Sequence, residues 1–116
     1  MWEMYDEACP TYQDMLLSIQ VGHQFLWDNF RYVPRSALSL GRSGHSLTHP
    51  RLLTEAGIES LYILNINPDE RARRIKDKEL QFIWRPMFDL LGRRTEMFTH
   101  IIYDNDISPL DLHVTD

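Results

Sequence analysis

The chain has 116 residues, 43% of them hydrophobic and 25% charged, with a formal net charge of -5 and one cysteine, Cys9. That length and mixture suit a single domain over 1–116 with its own core, and they exclude a disordered chain and an internal disulfide. No apolar run approaches the roughly 20 residues of a membrane helix, the opening residues are acidic where a secretory leader is basic and then apolar, and a pI near 5.4 argues against nucleic-acid binding; the expectation is an intracellular protein, cytoplasmic or nuclear.

Residues 1–9 read as an N-terminal arm. After Pro10, the apolar residues Tyr12, Met15, Leu16, Ile19, His23, Leu26, Trp27 and Phe30 recur at helical spacing. This predicts a long amphipathic main helix within 10–31. Pro34 closes the region, because the residue before a proline avoids helical geometry. A short strand is expected over 36–40, then a flexible loop over 41–46. Thr48 as N-cap, Pro50 in the first turn and Gly57 at the stop predict a short helix. The run around Leu61, Tyr62, Ile63 and Leu64 predicts a buried strand within 58–66. Asn67-Pro68-Asp69 signals a turn.

The charged stretch 70–79 reads as a short helix with a solvated face, since Arg71, Arg73, Arg74 and Lys76 are flanked by acids. A strand is expected over 80–84, stopped by Pro86. Residues 95–103 fit either a helix or, over 99–103, a strand. Residues 107–116 read as an extended tail. Helices interleaved with strands predict an α/β (or α+β) fold, with a small three- to four-stranded sheet packed by helices.

Charge is unevenly spread. Residues 1–30 hold five acids and no Lys or Arg, whereas residues 31–51 hold four arginines and no acid. The Gly41-Arg42-Ser43-Gly44 loop sits between a predicted strand and a predicted helix, a place where backbone N–H groups can cradle an anion. Arg42, Ser43, His45 and Arg51 are therefore the candidate ligand-binding residues. The loop lacks the Lys-Ser/Thr ending of a nucleotide-binding loop and the final glycine of a nucleophile elbow. His45 and His49 stand four apart, as two metal ligands on one helix would, but no third Cys, His or carboxylate neighbours them. Asp104-Asn105-Asp106 reads as an exposed acidic turn.

A set of short segments carries a family resemblance: Asn29-Phe30-Arg31, Leu38 to Gly44, Leu52 to Ile58, Tyr62 to Asn65, Pro68-Asp69-Glu70, and Leu80 to Asp89. Together they resemble the N-terminal half of the protein tyrosine/dual-specificity phosphatase superfamily. The resemblance implies a role for Asp89 as general acid, the weak catalytic candidate. The family's cysteine-containing phosphate loop is missing, so its thiolate chemistry is too.

No complete nucleophile, metal or cofactor constellation is present, so the sequence leans away from an enzyme and implies no cofactor and no metal. The expected function is a non-catalytic protein-binding or regulatory module, such as an inhibitor, acting through a protein partner or by self-association as a homodimer. Trp2, Met4 and Tyr5 are its candidate interface, because aromatic residues and Met are enriched at interface cores. The alternative is a small phospholigand-binding protein or enzyme using the loop from Gly41 to His49.

Overall fold

The computed structural model describes residues 1–41 and 44–103. In chain order the elements are α1 (Tyr12–Phe30), β1 (Ser36–Ser39), α2 (Thr48–Glu55), β2 (Ser60–Ile63), α3 (Pro68–Asp77), β3 (Gln81–Trp84), α4 (Phe88–Leu91), a 3-10 turn (Gly92–Thr95) and β4 (Met97–Ile101). The strands form one sheet in the order β1-β2-β4-β3. β1, β2 and β4 run parallel, and β3 lies antiparallel on the outer side of β4. The fold is α/β with a four-stranded mixed sheet.

α1 begins where its sequence can satisfy the first free N–H groups. Thr11 Oγ1 accepts from the Asp14 N–H at 3.3 Å while Asp14 Oδ2 accepts from the Thr11 N–H at 3.1 Å, a reciprocal capping box. The helix ends at Arg31, in the left-handed region at φ 53°. α3 starts on Asn67, whose Oδ1 accepts from the N–H groups of Asp69 and Glu70, with Pro68 in the first turn.

The core is built from helix residues pressed onto one side of the sheet: Met15 and Ile19 of α1, Leu52 and Leu53 of α2, then Ile58, Leu61, Ile63 and Met97. Alternation along the strands sends Leu61, Ile63, Thr99 and Ile101 to that side, all buried. α3 reaches the same side, where the Arg74 guanidinium lies 4.6 Å from the Phe82 ring centre. Truncating a fully buried leucine such as Leu61 to alanine costs about 2–5 kcal/mol in a core of this kind. The other side of the sheet carries Leu38, Tyr62, Phe98 and Ile83, each exposed.

The N-terminal arm crosses α1 at Gly22. The Trp2 N–H donates to the Ser18 carbonyl at 2.7 Å, and Ser18 Oγ donates to the Glu3 carbonyl at 3.1 Å. A Cβ at Gly22 would overlap the backbone of Met1 and Trp2. A side chain is therefore excluded at the crossing that delivers Tyr5 and Glu7 to the far end of the sheet.

Several local expectations shift. α1 is less amphipathic than its periodicity implies: it buries Met15, Ile19 and Gly22, while Tyr12, Leu16, Trp27 and Phe30 stay exposed. Leu47, not Thr48, is the N-cap of α2. The strand expected over 58–66 is only Ser60–Ile63, because Ile58 enters the core from the turn after α2 and Asn65 leaves the ladder. The ambiguous stretch 95–103 is the strand β4, where β-branched residues at 99 and 101 fill a position paired on both sides. The extended tail and the acidic turn at 104–106 lie outside the described residues.

Candidate functional site

The three parallel strands finish together at Ser39, Ile63 and Ile101. In sheets of this type ligands bind beyond the carboxyl ends of the strands, where loops diverge and polar groups collect. Two backbone bonds extend the ladder past those ends: Leu64 N–H to Ser39 O and Ile102 N–H to Ile63 O, both 2.9 Å. Arg71 of α3 reaches into this end, donating to the Ile102 carbonyl at 2.7 Å and to the Leu64 carbonyl. One guanidinium thereby ties the ends of β2 and β4 together.

A cluster of side chains sits against these ends. Glu7, buried, accepts from the Ser46 N–H through Oε2 at 2.7 Å and faces His45 Nδ1 through Oε1 at 3.5 Å. Ser39 Oγ approaches the same Oε1 at 3.5 Å. The other ring nitrogen of His45, Nε2, lies 2.6 Å from the Asn65 carbonyl. Both nitrogens of His45 thus face oxygen acceptors, which favours the doubly protonated ring. Beside them Tyr5 Oη and His49 Nδ1 are 2.8 Å apart, with their rings edge to face.

These contacts set the protonation states. Burial pushes the Glu7 carboxyl upward, but the His45 hydrogen bond, the Ser46 N–H and the charges of both histidines outweigh it and hold Glu7 below its ordinary value. The hydrogen bond to Glu7 raises His45 against the opposing effect of burial. Burial lowers His49 against the raising effect of the Glu7 charge. Burial, then the Glu7 charge, pushes the Tyr5 hydroxyl up to about 12. Glu7 and His45 thus favour each other's charged form, beside a phenol–imidazole hydrogen bond.

His45 also lines a cleft of about 400 Å³ with Gly44, Asn65, Ile66 and Asn67. Asn65 Nδ2 donates to the Leu40 carbonyl at 2.7 Å, and Asn67 Oδ1 is occupied by the cap of α3. Asn65 Oδ1 and Asn67 Nδ2 have no partner among the described residues. Both residues line the cleft, and an amide acceptor and an amide donor are each able to bond a hydroxyl.

The structure brings some sequence candidates here and not others. His45 is central. Arg51 turns to Glu55, 3.3 Å away along α2. Arg42 and Ser43 lie outside the described residues. Asp89 stands exposed in α4, outside the cluster. His45 and His49 engage different partners, and among the described residues no group of three or more His, Cys, Asp or Glu is placed to hold a metal ion. Of the candidate interface, Trp2 packs edge to face on Phe25, Met4 Sδ accepts from the Leu40 N–H, and Tyr5 enters the cluster. Sequence reasoning missed Glu7, Asn65, Asn67 and Arg71. Only Asn67 carried a local signal, its Asn-Pro-Asp turn.

Comparison with known proteins identifies the setting. Residues 1–112 match the family model of the glycosyl hydrolases family 38 N-terminal domain. An α-mannosidase of Arabidopsis thaliana is 37% identical over 99 residues, covering 84% of this chain and 10% of that protein. Human α-mannosidase 2 is 34% identical over 108 residues, 91% of this chain and 9% of its own length. The lysosomal α-mannosidase of Dictyostelium discoideum is 33% identical over 82 residues, 71% and 8% respectively. The chain spans about a tenth of the length of the curated relatives it matches. It belongs to glycosyl hydrolase family 38.

Membership in that family overturns the phosphatase resemblance. The segments that carried it are strand–loop–helix signals, which any parallel βα unit produces. It also overturns the reading as a regulatory or inhibitory binding module and its phospholigand alternative. Among the described residues of that candidate set, His45 faces the Glu7 carboxylate and Arg51 is engaged by Glu55.

Proposed function

We propose that this chain serves in the hydrolysis of α-mannosides, and that the cleft at the carboxyl ends of β1 and β2 contacts the sugar. The observation that carries the reading is the cleft lining: an amide acceptor and an amide donor that are unengaged among the described residues, backed by the Glu7–His45 ion pair, in a member of a glycosidase family. A cleft of about 400 Å³ falls in the range of small-ligand sites. Support for the substrate class comes from the relatives, which bear the name α-mannosidase.

Each polar group has a part in that reading. Glu7 stands behind His45 and acts through it. Its hydrogen bond raises His45 above its ordinary value, and the ring holds the Asn65 carbonyl. Both nitrogens of His45 are engaged, so it positions the wall and does not shuttle a proton. Glycoside hydrolysis uses two carboxyl groups roughly 5–10 Å apart, one of them kept protonated as the acid. A carboxyl lowered like Glu7 is unsuited to the acid role.

The test is release of para-nitrophenol from its α-mannoside, with the α-glucoside and β-mannoside as controls. Release selective for the α-mannoside, with KM raised in Asn67→Ala, is the expected result. No selective release at any acid-to-neutral pH overturns the hydrolytic assignment.

A further inference from the structure

The two amides that line the cleft stand on a stretch without regular structure. β2 ends at Ile63 and α3 begins at Pro68, so Asn65 and Asn67 lie in the link 64–67. A side chain on such a link keeps a fixed position only where the peptide groups beside it are held.

For Asn65 both are held. The Leu64 carbonyl and the Asn65 N–H share one rigid peptide plane, and that carbonyl accepts from Arg71 Nη2. The following plane begins with the Asn65 carbonyl, which faces His45 Nε2 at 2.6 Å. Arg71 therefore sets the plane before Asn65, and His45 sets the plane after it. The Asn65 side chain is tied by its Nδ2, which donates to the Leu40 carbonyl at 2.7 Å, and this directs Oδ1.

Arg71 is itself keyed to the sheet. Its Nη1 donates to the Ile102 carbonyl at 2.7 Å, and the Ile102 N–H continues the ladder onto the Ile63 carbonyl at 2.9 Å. Its neighbours Arg73 and Arg74 spend their charge on Glu70. Among the described residues the Arg71 side chain bonds backbone carbonyls alone. An arginine suits this place, because two nitrogens of one planar fork reach two carbonyls at once. A lysine ammonium is a single point of charge on a flexible stem and does not reproduce that fork.

We infer that Arg71 is a positioning residue of the sugar cleft: from α3 it fixes the Leu64–Asn65 peptide to the end of β4 and so places the Asn65 amide that meets the sugar. The inference rests on the reading of this cleft as the sugar site. Asn67 is held differently, since its carbonyl accepts from the backbone N–H of Arg71 at 2.9 Å, a bond that every substitution at 71 except proline retains.

A double-mutant cycle on the isotope-labelled chain tests this, with methyl α-mannoside as the probe. Arg71→Met removes both side-chain bonds, Arg71→Lys keeps the charge without the fork, and circular dichroism checks each fold. In the ligand-free protein the side-chain amide signals of Asn65 are expected to shift in Arg71→Met and to shift less in Arg71→Lys. Arg71→Met alone is expected to weaken sugar binding about tenfold, the size of a coupling between neighbouring residues. In an Asn65→Ala background the same substitution is expected to weaken it by less than about twofold, because Arg71 acts through the amide already removed. If Arg71→Met does not fold, Arg71→Lys carries the same cycle with a smaller expected loss. Equal losses with and without Asn65, which a role confined to tying the strands would give, overturn the inference. Unmoved Asn65 signals in a folded Arg71→Met do the same. A wild type that does not bind methyl α-mannoside refutes the sugar reading instead, and the ligand-free signals still decide whether Arg71 places Asn65.

Discussion

Two regions of this molecule are rich in charge, and they differ in what the charge does. On and just after α3, Arg73 bonds Glu70, Asp77 and Glu79 at the surface, and the half-buried Arg74 bonds Glu70. These contacts hold Glu70 at about 2 and raise Arg73, the first through its Arg73 and Arg74 hydrogen bonds. At the strand ends a single pair joins the buried Glu7 carboxylate to His45, whose side chain is 20% exposed. The α3 network has more bonds, yet water competes for those of Arg73, and exposed pairs contribute little. The strand-end pair has fewer bonds, but its carboxylate is buried. Removing that carboxylate leaves the groups bonded to it without an acceptor, which is where larger costs arise. Number of ion pairs is thus a poor guide to which region holds the fold.

Deleting the buried carboxylate is the sharpest way to break that contrast. Glu7→Ala is expected to cost about 1–3 kcal/mol in urea denaturation, since it leaves the Ser46 N–H without its acceptor. A loss below that of a typical surface substitution would erase the distinction between the regions. Gly22→Ala comes next, at about 1–3 kcal/mol, because the methyl group displaces the arm that carries Tyr5 and Glu7. Its signature is a changed environment for His49 in NMR spectra, although His49 is far from residue 22 in sequence.

Glu7→Gln sharpens the comparison through pH. Glu7 is lowered in the folded protein, so its contribution is present above its unfolded value near 4.5 and fades as pH falls through the folded value. His45 is raised, so its contribution is complete below its unfolded value near 6.5 and fades as pH rises through the folded value. The stability difference between wild type and Glu7→Gln should therefore peak between pH 4.5 and 6.5, reach about 1–2 kcal/mol there, and shrink on both sides. A flat difference would mean that the two groups do not titrate as a pair. The smallest effect is expected from Glu70→Gln on α3: a thermal midpoint close to wild type, with any change reduced further by salt.

The sequence made the long-range outline readable because that outline rests on local signals. Helical spacing marks α1, an apolar run marks β2, and Asn-Pro-Asp marks the start of α3. The stripe on α1 was over-read, since an exposed Leu16 or Trp27 has the same spacing as a buried Met15. The site was largely unreadable because its parts are distant in the chain: Glu7 meets Ser46, Tyr5 meets His49, and Arg71 meets Ile102. His45 stood out as a loop histidine, but its partner could not be named without the arm crossing α1. Arg71 was hidden among Arg73, Arg74 and Lys76, which look alike in sequence and face different ways in space. The phosphatase resemblance came from the same limit. Short βα segments repeat across many α/β folds, and only comparison over nearly the whole chain separates the families.

The placement of the sugar is tested most directly by titrating methyl α-mannoside into the isotope-labelled protein and following its amide signals. The account predicts saturable shifts at Gly44, His45, Asn65 and Asn67, with weaker or no shifts from methyl α-glucoside. Shifts confined to other surfaces, or none at all, would contradict the cleft at the carboxyl ends of β1 and β2 as the sugar site.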